Sequence, residues 1–271
     1  VPSLQNYVKI QELTVKQLGI LAKYLVNEDN EGINYCFNEI IKNNLKDPDL
    51  FDKLDKLDKW FILSFLKASN ISPLIIIKAK NPDDTDCTID LSLIDILTQV
   101  SEYKYRFENK LEIKNFIATF QIPKELYTEN ILADAVNSVQ LDDKIIDFSR
   151  LPHRQKIQFF LSLEQTLHDL LLSYTKVQDG NNDAYLIKNV NNLKNLFDIK
   201  LNLFDNTLFA FLKSIYFPYV QSLYGKKYNL VSKIGLSLAE IDNLTPFETD
   251  IYINILNTEE KSLAEKKDIS R

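Results

Sequence analysis

Only five glycines serve a chain of 271 residues. At an average usage of about 7%, a chain this long would carry roughly 19. Glycine lets a backbone reach positive φ and come close to a ligand. So few of them leave little room for enzymes built on glycine-rich phosphate loops or strained nucleophile turns. The scarcity fits helices and short hairpins.

The remaining composition narrows the class. Apolar residues make up 45% and charged residues 26%, with a net charge of -6, which is an ordinary folded composition. The two cysteines, Cys36 and Cys87, form no C-x-x-C pair, so a reducing compartment is expected. A single bridge between them stays open on counting alone. No run approaches the roughly 18 apolar residues of a membrane span, and residues 1–5 carry no basic and apolar leader pattern, so neither membrane insertion nor a signal peptide is expected. Basic residues are scattered and the balance is acidic, so no nucleic-acid stripe is expected either. Lysine outnumbers arginine 28 to 4, and Asn, Ile, Phe and Tyr are abundant, as in an AT-rich coding genome.

Periodicity predicts a predominantly α-helical α+β fold. A small antiparallel β-hairpin region (71–122) separates an N-terminal segment of a strand plus helices (1–70) from a C-terminal helical domain (123–271), and a single continuous domain of all three is the alternative. Residues 8–13 alternate weakly as a short strand. Thr14 and Gln17 then form a capping box ahead of Leu18, Leu21 and Leu25, and Gly19 costs that helix up to about 1 kcal/mol relative to Ala. A second helix is predicted over 32–45, with Ile33, Cys36, Phe37, Ile40 and Ile41 on one side. A third covers 56–69, with Trp60, Leu63 and the Lys67 stem. Residues 74–80 and 87–91 read as a hairpin, and 92–100 stay open between helix and strand.

A second hairpin is expected over 103–120, turning at Glu108-Asn109-Lys110. Helices are expected over 126–139, 151–161, 163–177 and 185–196, a loop at Asp179-Gly180-Asn181-Asn182, and a strand over 199–204. An aromatic helix over 208–223 is interrupted at Pro218. Ser237 and Glu240 form a capping box, and Thr245-Pro246-Phe247-Glu248 is the best helix start in the chain. Phe247, Ile251 and Ile255 follow it at i, i+4 and i+8, and a charged, frayed tail covers 259–271.

Catalytic chemistry finds few candidates. The only histidines are His153, at a helix start, and His168, at a helix-face boundary, and neither opens an H-E-x-x-H. Cys36 sits on an apolar helix face. Cys87 neighbours Asp83, Asp84 and Asp86 without a tetrahedral ligand set, and residues 179–183 lack the calcium-loop pattern. No catalytic residue, cofactor or metal site is nominated, and the chain is expected not to be an enzyme. What stands out is the aromatic run from Phe197 to Tyr228. Its members spread around one helix, so that helix is buried on several sides or faces a partner. Phe209, Phe211, Tyr216, Phe217, Tyr219 and Tyr224 are the candidate partner-interface residues, with core packing and partner contact both open.

Three stretches carry a family resemblance. They are VKIQELTVKQLGILAKYL at 8–25, the F-L-K-A-S helix end and hairpin within 60–91, and NLVSKIGLSLAEIDNLTPFETDIYINIL at 229–256. In this order they resemble the T4-type bacteriophage baseplate hub and hub-assembly family. Residues 93–205 match only loosely, and of the family's cysteine-containing turn only Cys87 stands here. The resemblance implies a structural or assembly protein of a contractile phage tail, placed in the baseplate hub and assembled in the bacterial cytoplasm. Its implied partners are other hub and tail proteins, the tape-measure protein among them, in a hetero-oligomeric assembly. The alternatives are a tail-assembly chaperone that leaves before the virion matures, and an enzyme without a recognisable motif.

Overall fold

The computed structural model describes residues 1–4, 6–80, 85–102, 107–142, 144–183 and 202–269. The fold is predominantly helical α+β, as the periodicity predicts.

Three helices open the chain: α1 (Val15–Val26), α2 (Asn30–Asn44) and α3 (Lys56–Asn70). Thr14 accepts from the Gln17 N–H, and the Gln17 side chain accepts from the Thr14 N–H, which satisfies two orphan donors of α1. Leu18, Leu21 and Leu25 are all buried, as are the five α2 residues expected on one face. Residues 8–13 form no full strand. Ile10 makes one antiparallel bridge to Leu45, and Gln11 N–H donates to the Asn44 carbonyl.

β1 (Leu74–Lys80) and β2 (Asp86–Ser92) pair antiparallel, and 93–102 resolves as helix α4 (Leu93–Glu102). The second hairpin is displaced from its expected place. β3 (Lys110–Ile113) and β4 (Phe116–Phe120) turn at Lys114-Asn115, with Lys114 at φ 50°, and Lys110, expected in the turn, opens β3 instead. Residues 103–106 lie outside the described part.

The helix expected over 126–139 is corrected to one short turn of helix, α5 (Ile131–Ala135), followed by strand β5 (Val136–Leu141). β6 (Lys144–Asp147) completes a four-stranded meander in the order β3-β4-β5-β6. β4 turns Phe116, Ala118 and Phe120 inward by its two-residue period.

α6 (His153–Leu161) and α7 (Gln165–Asp183) follow. α7 runs straight through the expected loop at 179–182. The expected helix at 185–196 lies outside the described residues, as does the start of the strand expected at 199–204. Residues 202–204 are not strand.

α8 (Thr207–Asn229) is continuous through Pro218, and a π turn (Leu230–Ile234) closes at Gly235 with φ 83°. α9 (Leu238–Asn243) and α10 (Pro246–Ile269) carry the Ser237–Glu240 and Thr245–Glu248 caps. α10 keeps its helix through the charged tail, where fraying is expected.

The buried residues form one core cluster that draws on all three segments of the chain. α8 lies against α1, α3, α10 and the π turn. Phe37 meets Phe209 and Tyr216, with ring centroids 6.2 and 5.6 Å apart, and Trp60 meets Phe211 at 5.6 Å.

Gly32 is fixed by close approach. A Cβ there would stand 2.0 Å from Tyr24 Cδ1 and 2.7 Å from Asp29 Oδ2, the carboxylate that caps α2. Gly32→Ala is expected to lower stability by about 1–3 kcal/mol, and to cost much less when it is made in a Tyr24→Ala background. Denaturant unfolding of the single and double variants checks this, and an equal cost in both backgrounds would contradict the contact.

Asp55 caps α3 beside Asp58, and burial together with the Asp58 charge pushes its carboxyl up to about 7. The folded state therefore holds this proton more tightly than the unfolded state does. Stability is fully present below about pH 4 and falls as pH rises toward 7. Asp55→Asn keeps a capping oxygen and cannot ionise. Its stability relative to the parent is expected to be at least about 1 kcal/mol higher at pH 8 than at pH 4. An equal difference at both values would contradict the buried proton.

Candidate partner interface

The structure divides the six aromatic candidates. Phe209, Phe211, Tyr216 and Tyr219 are buried in the chain's own core. Tyr216 donates its hydroxyl to the Leu63 carbonyl at 2.8 Å, and burial holds that phenol far above its usual range. Tyr219 donates to the Pro246 carbonyl at 3.4 Å. These four pack within the chain, and of them only Tyr219 also reaches a groove, the one between α8 and β1. Phe217 and Tyr224 are exposed, at 39% and 56%.

The exposed residues fall in register. Phe217, Gln221, Tyr224 and Tyr228 are spaced by four, three and four, so they line one side of α8. Tyr228 is 71% exposed, and Val231 extends the line into the π turn. Tyr228 belongs to the dense aromatic run of the sequence, and the spacing of four, three and four is the signal that places it on this line.

α10 presents a second line. Its inner side carries Thr249 and Leu256, both buried, together with Asp250 and Glu260. The last two pair with Lys226 and Lys233. At about 100° per residue, Phe247, Ile251 and Ile255 point to the opposite side. They are 65%, 42% and 52% exposed. The helix is thus held on its inner side by Leu256 and Ile253 together with two ion pairs, while the stripe of Phe247, Ile251 and Ile255 faces out. Scattered apolar residues are normal on a surface, but a stripe at helical spacing is the pattern of helix-in-groove recognition.

The residues considered for chemistry lie elsewhere. His153 Nδ1 is 3.4 Å from Asp134 Oδ1, and the Thr128 hydroxyl donates to the other oxygen of that carboxylate. Burial pushes the Asp134 carboxyl up. The group joins α5 to α6 and to the chain before it. His168 Nδ1 lies 3.8 Å from Asp169. Cys36 is a free, buried thiol, and burial pushes its pKa to about 11, where it is a poor nucleophile. The side chain of Cys87 and all of Asp83 and Asp84 lie outside the described residues. Among the described residues, no group of three His, Cys, Asp or Glu side chains could hold a metal, and no helix is long and apolar enough to cross a membrane.

One feature is legible in the sequence only as the Lys67 stem. α3 carries Lys56, Lys59 and Lys67, all buried. Lys56 Nζ donates to the Asp205 carbonyl at 2.6 Å, and Lys59 lies 3.5 Å from Glu125. Glu125 also accepts from Asn34 and Asn38, which ties α2 to α3. Among the described residues, Lys67 has only carbonyl partners, Ser72 and Leu74. It lines a groove of about 570 Å³ between β1 and α8.

No protein-family model, curated protein or solved structure matches the chain.

The division of α8 is testable with one substitution type. Phe209→Ala is expected to cost about 3–5 kcal/mol, and Phe217→Ala less than about 1 kcal/mol. Denaturant unfolding of both variants measures the difference. Equal costs would contradict the assignment of Phe209 to the core and Phe217 to the surface.

Proposed function

We propose that this protein is a structural or assembly component that acts through protein–protein contacts. Its setting, on the sequence resemblance, is the hub of a contractile phage tail baseplate. The observation that carries the contact reading is the α10 stripe of Phe247, Ile251 and Ile255, which faces away from the side that packs on α8. A helix apolar on its outward side is favoured only when something covers it. The α8 line of Phe217, Tyr224 and Tyr228 supplies further surface of the aromatic kind that partner contacts favour.

The partners in this reading are other hub and tail proteins within a hetero-oligomeric assembly. Neither nucleic acid nor membrane takes part. The tail setting rests on the ordered stretches at 8–25, 60–91 and 229–256 and on the AT-rich composition. These stretches include α1, the α3–β1–β2 connection and the start of α10.

Two linked measurements test the reading. Quantitative mass spectrometry of purified virions and of tail intermediates is expected to find the protein at a fixed low copy number. Presence in intermediates and absence from virions would move the role from hub component to assembly chaperone. Absence from both would overturn the tail setting. The variant Phe247→Glu/Ile251→Glu/Ile255→Glu is expected to melt within about 3 °C of the parent, because these side chains leave the core untouched. It is also expected to lose incorporation into tails. Normal incorporation would remove the α10 stripe from the interface.

A further inference from the structure

The groove beside Lys67 lies between the start of β1 and the middle of α8. Its walls include Ile71, Ile75, Ile215, Pro218 and Tyr219. Its volume of about 570 Å³ is that of a ligand or peptide site.

The hairpin register shows which backbone groups face it. The Pro73 carbonyl accepts from the Leu93 N–H at 2.7 Å, in line with the pairing of Ile75 with Leu91. In an antiparallel pair such bonded positions alternate, so Pro73, Ile75 and Ile77 turn their backbone groups toward β2. Leu74 and Ile76 turn theirs the other way. Leu74 agrees with this: its N–H donates to Ser72 Oγ at 3.1 Å, and its carbonyl accepts from Lys67 Nζ at 3.0 Å. The sheet contains only β1 and β2, so the outer edge of β1, from Ile76 onward, has no neighbouring strand among the described residues. Across the groove, Pro218 has no N–H to offer the Ser214 carbonyl, and Ser214 lines the same space.

Lys67 fixes the chemistry at one end. It is only 4% exposed. Two of its three donors go to the Ser72 and Leu74 carbonyls, and no carboxylate among the described residues pairs with it. Burial lowers its pKa to about 8, so it is still largely an ammonium at neutral pH. A buried cation held by carbonyl dipoles alone, with one donor left over, is complementary to an anion.

These features select one occupant. We propose that the groove binds the extended C-terminal tail of a partner protein, added antiparallel to the outer edge of β1, with its terminal carboxylate on Lys67 and an apolar last side chain between Ile71, Ile75 and Ile215. The direction follows from the fold. A strand antiparallel to β1 runs from the Lys80 end toward Leu74, so its C-terminus arrives where Lys67 stands. Main-chain pairing gives affinity, and the pocket and the cation give specificity for a free apolar terminus. This site is separate from the α10 stripe, and its binding is read on the purified chain without any tail particle. Its failure and the failure of the tail setting are therefore distinguishable.

Fluorescence anisotropy with labelled hexapeptides ending in Val, Leu, Ile or Phe tests the inference on the unmodified full chain. Peptides with a free carboxylate are expected to bind, and the same peptides with a C-terminal amide at least about tenfold more weakly, since the charge-assisted bond to Lys67 is lost. Ser214→Trp, which fills the groove from an exposed helix position, is expected to abolish binding while melting within about 3 °C of the parent. Equal binding of acid and amide would overturn the inference. So would the absence of binding below about 1 mM, or full binding by a folded Ser214→Trp variant. The comparison of acid with amide needs no variant, so it decides the matter even if the substitution impairs folding.

Discussion

The hydroxyl of Tyr216 crosses the core to the carbonyl of Leu63, 153 residues earlier in the chain. A fully buried phenol is tolerated only when its O–H is satisfied, so this bond fixes the rotation and height of α8 against α3. Phe37, Phe209, Trp60 and Phe211 then close around the same contact. α8 buries nine of its 23 residues, on the sides where α1, α2 and α3 fold against it, although its aromatics spread nearly all round. Which of its aromatics become core is decided by that rotation alone.

The surface features follow from the same constraint. With Tyr216 and Leu212 turned inward, Phe217, Tyr224 and Tyr228 must turn outward. The C-terminal half of α8 then offers Lys226 to Asp250 and Tyr219 to Pro246, and these contacts set the roll of α10. That roll leaves Phe247, Ile251 and Ile255 facing out. On its other flank, α8 brings Ser214, Ile215 and Pro218 opposite β1, and a groove opens over Lys67. Two apolar lines and one cationic groove are thus consequences of how a single helix is seated.

Much of the helical framework was legible because its ends are written in local chemistry. Thr14 with Gln17, Ser237 with Glu240 and Thr245 with Glu248 satisfy orphan N–H groups within four residues, and a reader needs no tertiary information to find them. The β-meander was harder. Its β3–β4 turn places Lys114, not glycine, at positive φ, so the usual punctuation is missing. The apolar run at 126–139 carries helical spacing in its first half and β-branched residues in its second, and pairing with β4 decides the latter. At 179–182 the opposite happens: turn-forming residues are absorbed into α7. The split among the α8 aromatics needed burial to be known. The Lys67 head was invisible for a different reason. A lysine beside apolar neighbours ordinarily extends its ammonium to water, and only the Ser72 and Leu74 carbonyls keep this one inside.

One helix divides its aromatics between the interior and an exposed line, which on the proposed function a partner covers. Tyrosine nitration read by peptide mass spectrometry tests it most directly, with the isolated chain compared against the chain within purified tails. Fast modification of Tyr224 and Tyr228 is expected in the isolated chain, with protection of Tyr216 and Tyr219 throughout and loss of reactivity at Tyr224 and Tyr228 once assembled. Modification of Tyr216 as fast as Tyr228 in the folded chain, or unchanged reactivity of Tyr224 and Tyr228 on assembly, would contradict it.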